Sequence, residues 1–188
     1  DSFVLGDLGW QALAVPGHDM DALALYNPEK RLLISGDALW QDGFGIVFGE
    51  ILGDTANAGA ALAATRRTLD MIAALDVRVV IPGHGSPFDD VDAALGRAYG
   101  RLVAFEKDGA RIGRNAVKAC FIFNLLEFGR MRFSELPAYL AGIPFFKRIN
   151  DMHFSHDDEK FADWLLADLA KSRAIEVSEG WILPTRAP

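Results

Sequence analysis

Pro-Gly-His occurs twice in this chain of 188 residues, at Pro16-Gly17-His18 and Pro82-Gly83-His84, and Ser35-Gly36-Asp37 lies between them. In chain order, each peptide follows an apolar run: Trp10 to Val15 before Pro16, Arg31 to Ile34 before Ser35 and Val77 to Ile81 before Pro82. The runs read as strands. A histidine or an aspartate therefore stands just past each of three strand ends. Three ligand-type residues on three strand ends is the layout of a metal site, and sheet proteins commonly carry catalytic residues on such loops.

The residues beside each ligand have a physical purpose. Glycine lets the backbone turn sharply at the strand end and lets an ion approach closely. The proline before it stiffens the turn, so the ligand loses less entropy on ordering. Where no thiolate is offered, zinc or iron takes imidazole nitrogen and carboxylate oxygen. His18, Asp37 and His84 supply that set and are the candidate metal ligands.

The remaining pattern predicts a sheet covered by helices. Phe3-Val4-Leu5 and Ala22 to Tyr26 read as further strands, the latter pairing with Arg31–Ser35 as a hairpin. Residues 38–54 have no clear period and read as a loop. Asn57 to Leu75 reads as a helix, with Leu62, Leu69, Ile72 and Leu75 on one face. Residues 90–107 read as a second helix, with Val91, Leu95, Leu102 and Phe105 facing inward.

The texture changes at Asp108-Gly109, which places a boundary between residues 1–110 and 111–188. Asn115 to Phe128 is apolar nearly all round and reads as a buried helix. A short helix starts at Ser134-Glu135-Leu136. Ser155 and Asp158 have the spacing of a capping box ahead of Glu159–Lys171, where Phe161, Leu165 and Leu169 share a stripe. Ile175-Glu176-Val177 and Trp181-Ile182-Leu183 flank Ser178-Glu179-Gly180 as a small hairpin. Helices followed by a hairpin is the layout of a winged-helix-like module.

Composition bounds the function classes. Net charge is -7, and residues 1–110 hold 8 Lys/Arg against 16 Asp/Glu. Neither half is basic, which argues against a generic nucleic-acid binder. No apolar run reaches the length of a membrane span, roughly 18 residues. The one cysteine, Cys120, cannot form an internal disulfide, so a reducing, cytoplasmic setting is expected. Its apolar neighbours make it a packed residue rather than a nucleophile. The chain opens at Asp1 without Met, as expected of a piece of a longer protein.

Other residues admit two readings. Asp19 and Asp21 either hydrogen-bond a ligating imidazole or serve turn chemistry. Trp40, Phe44 and Phe48 line a pocket or pack in the core. His153 and His156 decorate a helix entry rather than bind metal.

Val15-Pro16-Gly17-His18-Asp19, Leu33-Ile34-Ser35-Gly36-Asp37-Ala38-Leu39-Trp40 and Val80-Ile81-Pro82-Gly83-His84-Gly85 resemble the metallo-β-lactamase-fold hydrolases, especially their glyoxalase-II-like branch. The separations fit as well, 19 residues from His18 to Asp37 and 47 from there to His84. The resemblance covers about residues 1–105, and the C-terminal module resembles the winged-helix extension of some members. It implies an α+β chain: the second half of an αββα metallo-β-lactamase sandwich, then a helical, winged-helix-like module.

The resemblance also implies a zinc pair, with iron or manganese as alternatives. His18 would complete the first metal site, Asp37 would bridge the two ions and act in catalysis, and His84 would belong to the second. The implied reaction is hydrolysis of a small acyl, ester or thioester substrate by metal-bound hydroxide. A nuclease or phosphodiesterase of the same fold is the alternative enzyme. The family's earlier His-x-His-x-Asp-His motif has no counterpart here, since no histidine precedes His18. This chain alone is therefore expected to be inactive. It is also expected to expose an apolar sheet face, to be covered by the missing N-terminal half or by a homodimer partner. A non-catalytic half-domain acting in dimerisation or partner binding is the reading outside enzymes.

Overall fold

Alternating apolar residues and tight turns build a sheet whose spatial order is its sequence order. In this computed structural model, which describes residues 2–52 and 59–185, β1 (Ser2–Leu5), β2 (Leu8–Ala14), β3 (Leu23–Asn27) and β4 (Leu32–Gly36) are antiparallel neighbours. The β3–β4 hairpin is the one the sequence predicts. β5 (Val79–Pro82) then joins β4 in parallel. A parallel pair needs a long crossover, and here it carries α1 (Phe48–Leu52) and α2 (Ala60–Ala73). α3 (Val91–Lys107) follows β5.

α1 corrects the loop expected over residues 38–54. The expected helix start at Asn57 lies outside the described residues. Within them, α2 begins one residue after Gly59, which brings no capping side chain. Glu50 caps α2 from a distance instead. Its carboxylate accepts from the backbone N–H groups of Gly59, Ala61 and Leu62 at 2.9, 3.0 and 3.1 Å. An anionic acceptor satisfies the unpaired donors of a helix start and complements its dipole.

The two faces of the sheet differ. Tyr26, Leu33 and Val80 lie in register across β3, β4 and β5 and are all buried. The Tyr26 hydroxyl on that face donates to the carbonyl of Asp76, just past α2. Of the helical stripes expected from periodicity, Leu62, Leu69 and Ile72 in α2 and Val91, Leu95, Leu102 and Phe105 in α3 are buried, while Leu75 lies past the end of α2 and is only half-buried. On the opposite face Ala12, Leu25, Ile34 and Ile81 form a row across four strands, and each is only half-buried. Leu5 and Leu23 on that face are exposed. This is the incompletely covered apolar face that the sequence leads one to expect.

By its internal contacts the chain divides into two compact units, Asp1–Ile112 and Gly113–Pro188. The second unit takes in most of α4 (Ala110–Phe128), then β6 (Met131–Arg132), α5 (Leu136–Gly142), α6 (Pro144–His153), α7 (Asp158–Lys171), β7 (Ile175–Ser178) and β8 (Trp181–Pro184). β8 lies between β6 and β7, antiparallel to both. The β7–β8 hairpin turns through Glu179 and Gly180, both at positive φ, as a two-residue turn of this hand requires.

Two expectations are corrected in this unit. α4 is not buried all round: Ala116, Val117, Phe121 and Leu125 form its buried stripe, while Glu127 and Phe128 are exposed. The cap of α7 is Asp157, whose carboxylate accepts from Lys160 N at 2.8 Å. Ser155 instead sits in left-handed backbone, with Asn150 bonding both ways to His156 beside it. Among the described residues no helix is long and apolar enough to cross a membrane.

Candidate metal centre

The end of β4 carries the central group. Asp37 follows Gly36 directly, and the buried Ser35 hydroxyl ties the turn by donating to Leu39 O at 2.7 Å. His84 follows β5, two residues past Pro82. His18 lies in the β2–β3 connection, where Thr68 of α2 donates to Pro16 O at 2.7 Å. The parallel β4–β5 pair brings the Pro82-Gly83 turn against Gly36, with Gly83 N donating to Gly36 O at 2.8 Å. A side chain at Gly83 would start 2.8 Å from Asp37 Oδ1, so only glycine allows this approach.

The structure therefore brings all three sequence-predicted residues together. His18 Nε2 lies 3.2 Å from Asp37 Oδ2, and His84 Nε2 lies 3.8 Å from Asp37 Oδ1. Each carboxylate oxygen faces a different imidazole. Among the described residues no three His, Cys, Asp or Glu side chains close into one ligand cluster. The arrangement is two pairs hinged on Asp37.

The chemistry of this donor set fits a cation. His18 Nδ1 lies 2.6 Å from the Ile46 carbonyl oxygen, which can only accept, so Nδ1 carries a proton. In a neutral ring Nε2 then presents a lone pair to a carboxylate oxygen. Two lone pairs at this distance repel, so the contact calls for a second proton or a metal ion between them. Nitrogen and oxygen ligands held at ~2.0–2.2 Å on one tetrahedral zinc lie about 3.3 Å apart. The His18–Asp37 pair has that span, and the His84–Asp37 pair is somewhat wider. An Nδ1–H bound to a backbone carbonyl is also how ligating histidines are commonly oriented.

The loop after Asp37 frames the group. The Trp40 indole N–H donates to Asp37 Oδ1 at 3.0 Å, and its ring meets the His84 ring edge-on at 5.2 Å. Phe48 lies against the His18 ring, with centroids 5.3 Å apart. Phe44 is buried against Phe105 and belongs to the core. Asp19 serves turn chemistry, its side chain accepting from Asp21 N and its carbonyl from Gly17 N and Ala22 N. His153 and His156 lie in the second unit, at the end of α6 and in the loop before α7.

One contributor was missed by sequence reasoning. Arg101 of α3 donates to the carbonyls of Phe44 and Asp42 at 3.0 and 2.7 Å, and its guanidinium lies over the Phe44 ring. It pins the loop that holds Ile46 and Trp40. Burial pulls this guanidinium below its usual range, and Asp42 opposes the shift. Its signal was available: Arg101 shares the α3 face of buried Ala98 and Phe105, a charge on an apolar stripe.

Residues 1–84 match the family model of the metallo-beta-lactamase superfamily, and the matched segment contains His18, Asp37 and His84. A hydroxyacylglutathione hydrolase from Bartonella tribocorum is 42% identical over 48 residues, which span 26% of this chain and 19% of that protein. The "Probable metallo-hydrolase YqjP" of Bacillus subtilis is 28% identical over 93 residues, 48% of this chain and 28% of that one. A crystal structure of a metallo-beta-lactamase family protein from Thermus thermophilus aligns with 98% of this chain and 52% of its own, at 21% identity and a TM-score of 0.45. The chain thus spans about half of that superfamily structure and less than a third of either curated relative.

Proposed function

We propose that His18, Asp37 and His84 form one side of the metal centre of a metal-dependent hydrolase, acting on an acyl, ester or thioester bond. The observation that carries this reading is the His18–Asp37 contact: with Nδ1–H donating to Ile46 O, Nε2 faces a carboxylate oxygen, and the pair calls for a second proton or a metal ion between them. His18 and His84 would each offer Nε2, and Asp37 one oxygen toward each. Bound zinc supplies Lewis acidity and activates water at neutral pH. This chain's own residues hold the donors in place: Ile46 fixes the His18 ring, and the Gly83 turn sets Asp37 beside His84. The acyl class is supported by the name of the Bartonella relative, across 48 aligned residues.

The half-buried row of Ala12, Leu25, Ile34 and Ile81 supports a second part of the reading. A further segment of a longer protein, or a second copy, covers this face and completes the ligand set. The second unit we read as winged-helix-like, from its order of helix, strand, helices and hairpin and its β6-β8-β7 sheet.

Zinc titration followed by the imidazole resonances tests the ligand assignment. His18 and His84 should respond, and Asp37→Ala should weaken binding at least roughly tenfold. Unmoved resonances would refute the assignment. Hydrolysis of a model thioester is expected only from a protein that completes the ligand set. Turnover by residues 1–188 alone would refute that part.

A further inference from the structure

We propose that Trp40 is a positioning residue for the metal centre, its indole N–H fixing the Asp37 carboxylate so that one oxygen serves each histidine. This rests on the reading of His18, Asp37 and His84 as ligands. Carboxylate rotation about its last torsion is soft, with broad, roughly two-fold preferences. Nothing in the chain direction alone decides which Asp37 oxygen faces which imidazole. The indole decides it, since Nε1 donates to Oδ1 at 3.0 Å and so leaves Oδ2 on the His18 side.

Trp40 is well suited to that task because it is itself held. Its backbone N–H donates to Gly43 O at 2.6 Å, and Gly43 N returns a bond to Trp40 O at 3.3 Å. Arg101 grips the next carbonyls on either side of Gly43, those of Asp42 and Phe44. The indole edge packs on His84, so one side chain touches two of the three ligands. An indole N–H is a donor only. It neither competes for the ion nor titrates in the working range, and it leaves further lone pairs on Oδ1 for the ion. Groups that orient metal ligands in this way typically contribute roughly 10–100-fold to metal affinity.

Trp40→Phe separates the donor from the ring, because phenylalanine keeps an aromatic edge near His84 and removes the N–H. The chain of 188 residues has four tryptophans, so the indole N–H resonance missing from the variant identifies Trp40. Zinc dissociation constants would be measured by competition with a chromophoric chelator, beside thermal melting and indole N–H spectra. The expected result is an approximately tenfold weaker zinc constant in Trp40→Phe with unaltered melting of the metal-free protein. In the wild type, zinc should move the Trp40 indole resonance. Equal zinc constants in the two proteins, or an indole resonance indifferent to zinc, would overturn the role of Trp40 and leave the ligands standing. Wild-type His18 and His84 resonances indifferent to zinc would overturn the ligand reading itself, and this inference with it.

Discussion

The imidazole Nδ1 of His18 lies 2.6 Å from the carbonyl oxygen of Ile46, 28 residues further along the chain. This bond sets which ring nitrogen faces Asp37. It depends on Gly45, whose N–H donates to Asp37 O at 2.8 Å while its Cα lies close under both side chains.

Gly45→Ala should therefore break the arrangement. A Cβ there would start 2.8 Å from Asp37 Cβ and 2.8 Å from His18 Nδ1. Overpacking of this kind costs about 1–3 kcal/mol. Chemical denaturation should show a lower midpoint, and nitrogen chemical shifts of His18 should lose the single tautomer. Wild-type stability with an unchanged ring would mean that the loop yields without strain.

Arg101→Met should loosen the same loop from the other side. It would strip the carbonyls of Asp42 and Phe44 of their guanidinium donors. Water can replace the donor at the exposed Asp42 carbonyl, but an unpaired buried acceptor costs about 1–3 kcal/mol, so the part-buried Phe44 carbonyl carries most of the loss. Arg101→Lys should recover only part, because a single ammonium cannot reproduce the planar fork. Hydrogen exchange at Gly43 and Gly45 would report the loosening locally, and protection equal to wild type would exclude the latch.

Cys120 gives a prediction in pH. Burial pushes its thiol up to about 11. The folded state then holds the thiol proton where the unfolded chain, with an ordinary cysteine value of about 8.5, has released it. Stability from this group is fully present below that unfolded value and is lost as pH rises toward about 11. Alkylation by iodoacetamide should therefore rise toward pH 11 rather than level off near 8.5. Cys120→Ala should flatten the alkaline loss of stability. A thiolate-like rate at neutral pH would contradict the packed assignment.

Much of the fold was legible because its signals are local. Alternation in Ala22–Tyr26 and Arg31–Ser35, the stripes of α2 and α3, and the turn at Glu179-Gly180 each depend on residues a few positions apart. α1 was not legible, since five residues within a loop rich in glycine and aromatics carry no resolvable period. The cap of α7 was misplaced by two residues, because Ser155 and Asp157 are both good caps by composition. Asp157 caps because its extended backbone aims its carboxylate at Lys160 N.

By itself the sequence determined which residues are the candidate ligands, the strands that carry them and the glycine turns that let them approach. Those follow from residue type and short-range periodicity. Only the tertiary structure decided that Asp37 stands between the two imidazoles, one oxygen to each. It alone turned Trp40 toward Asp37 and recruited Ile46 and Arg101 to hold the loop. These contacts join residues tens of positions apart through an aperiodic loop, whose conformation is set by what packs against it and not by its own composition.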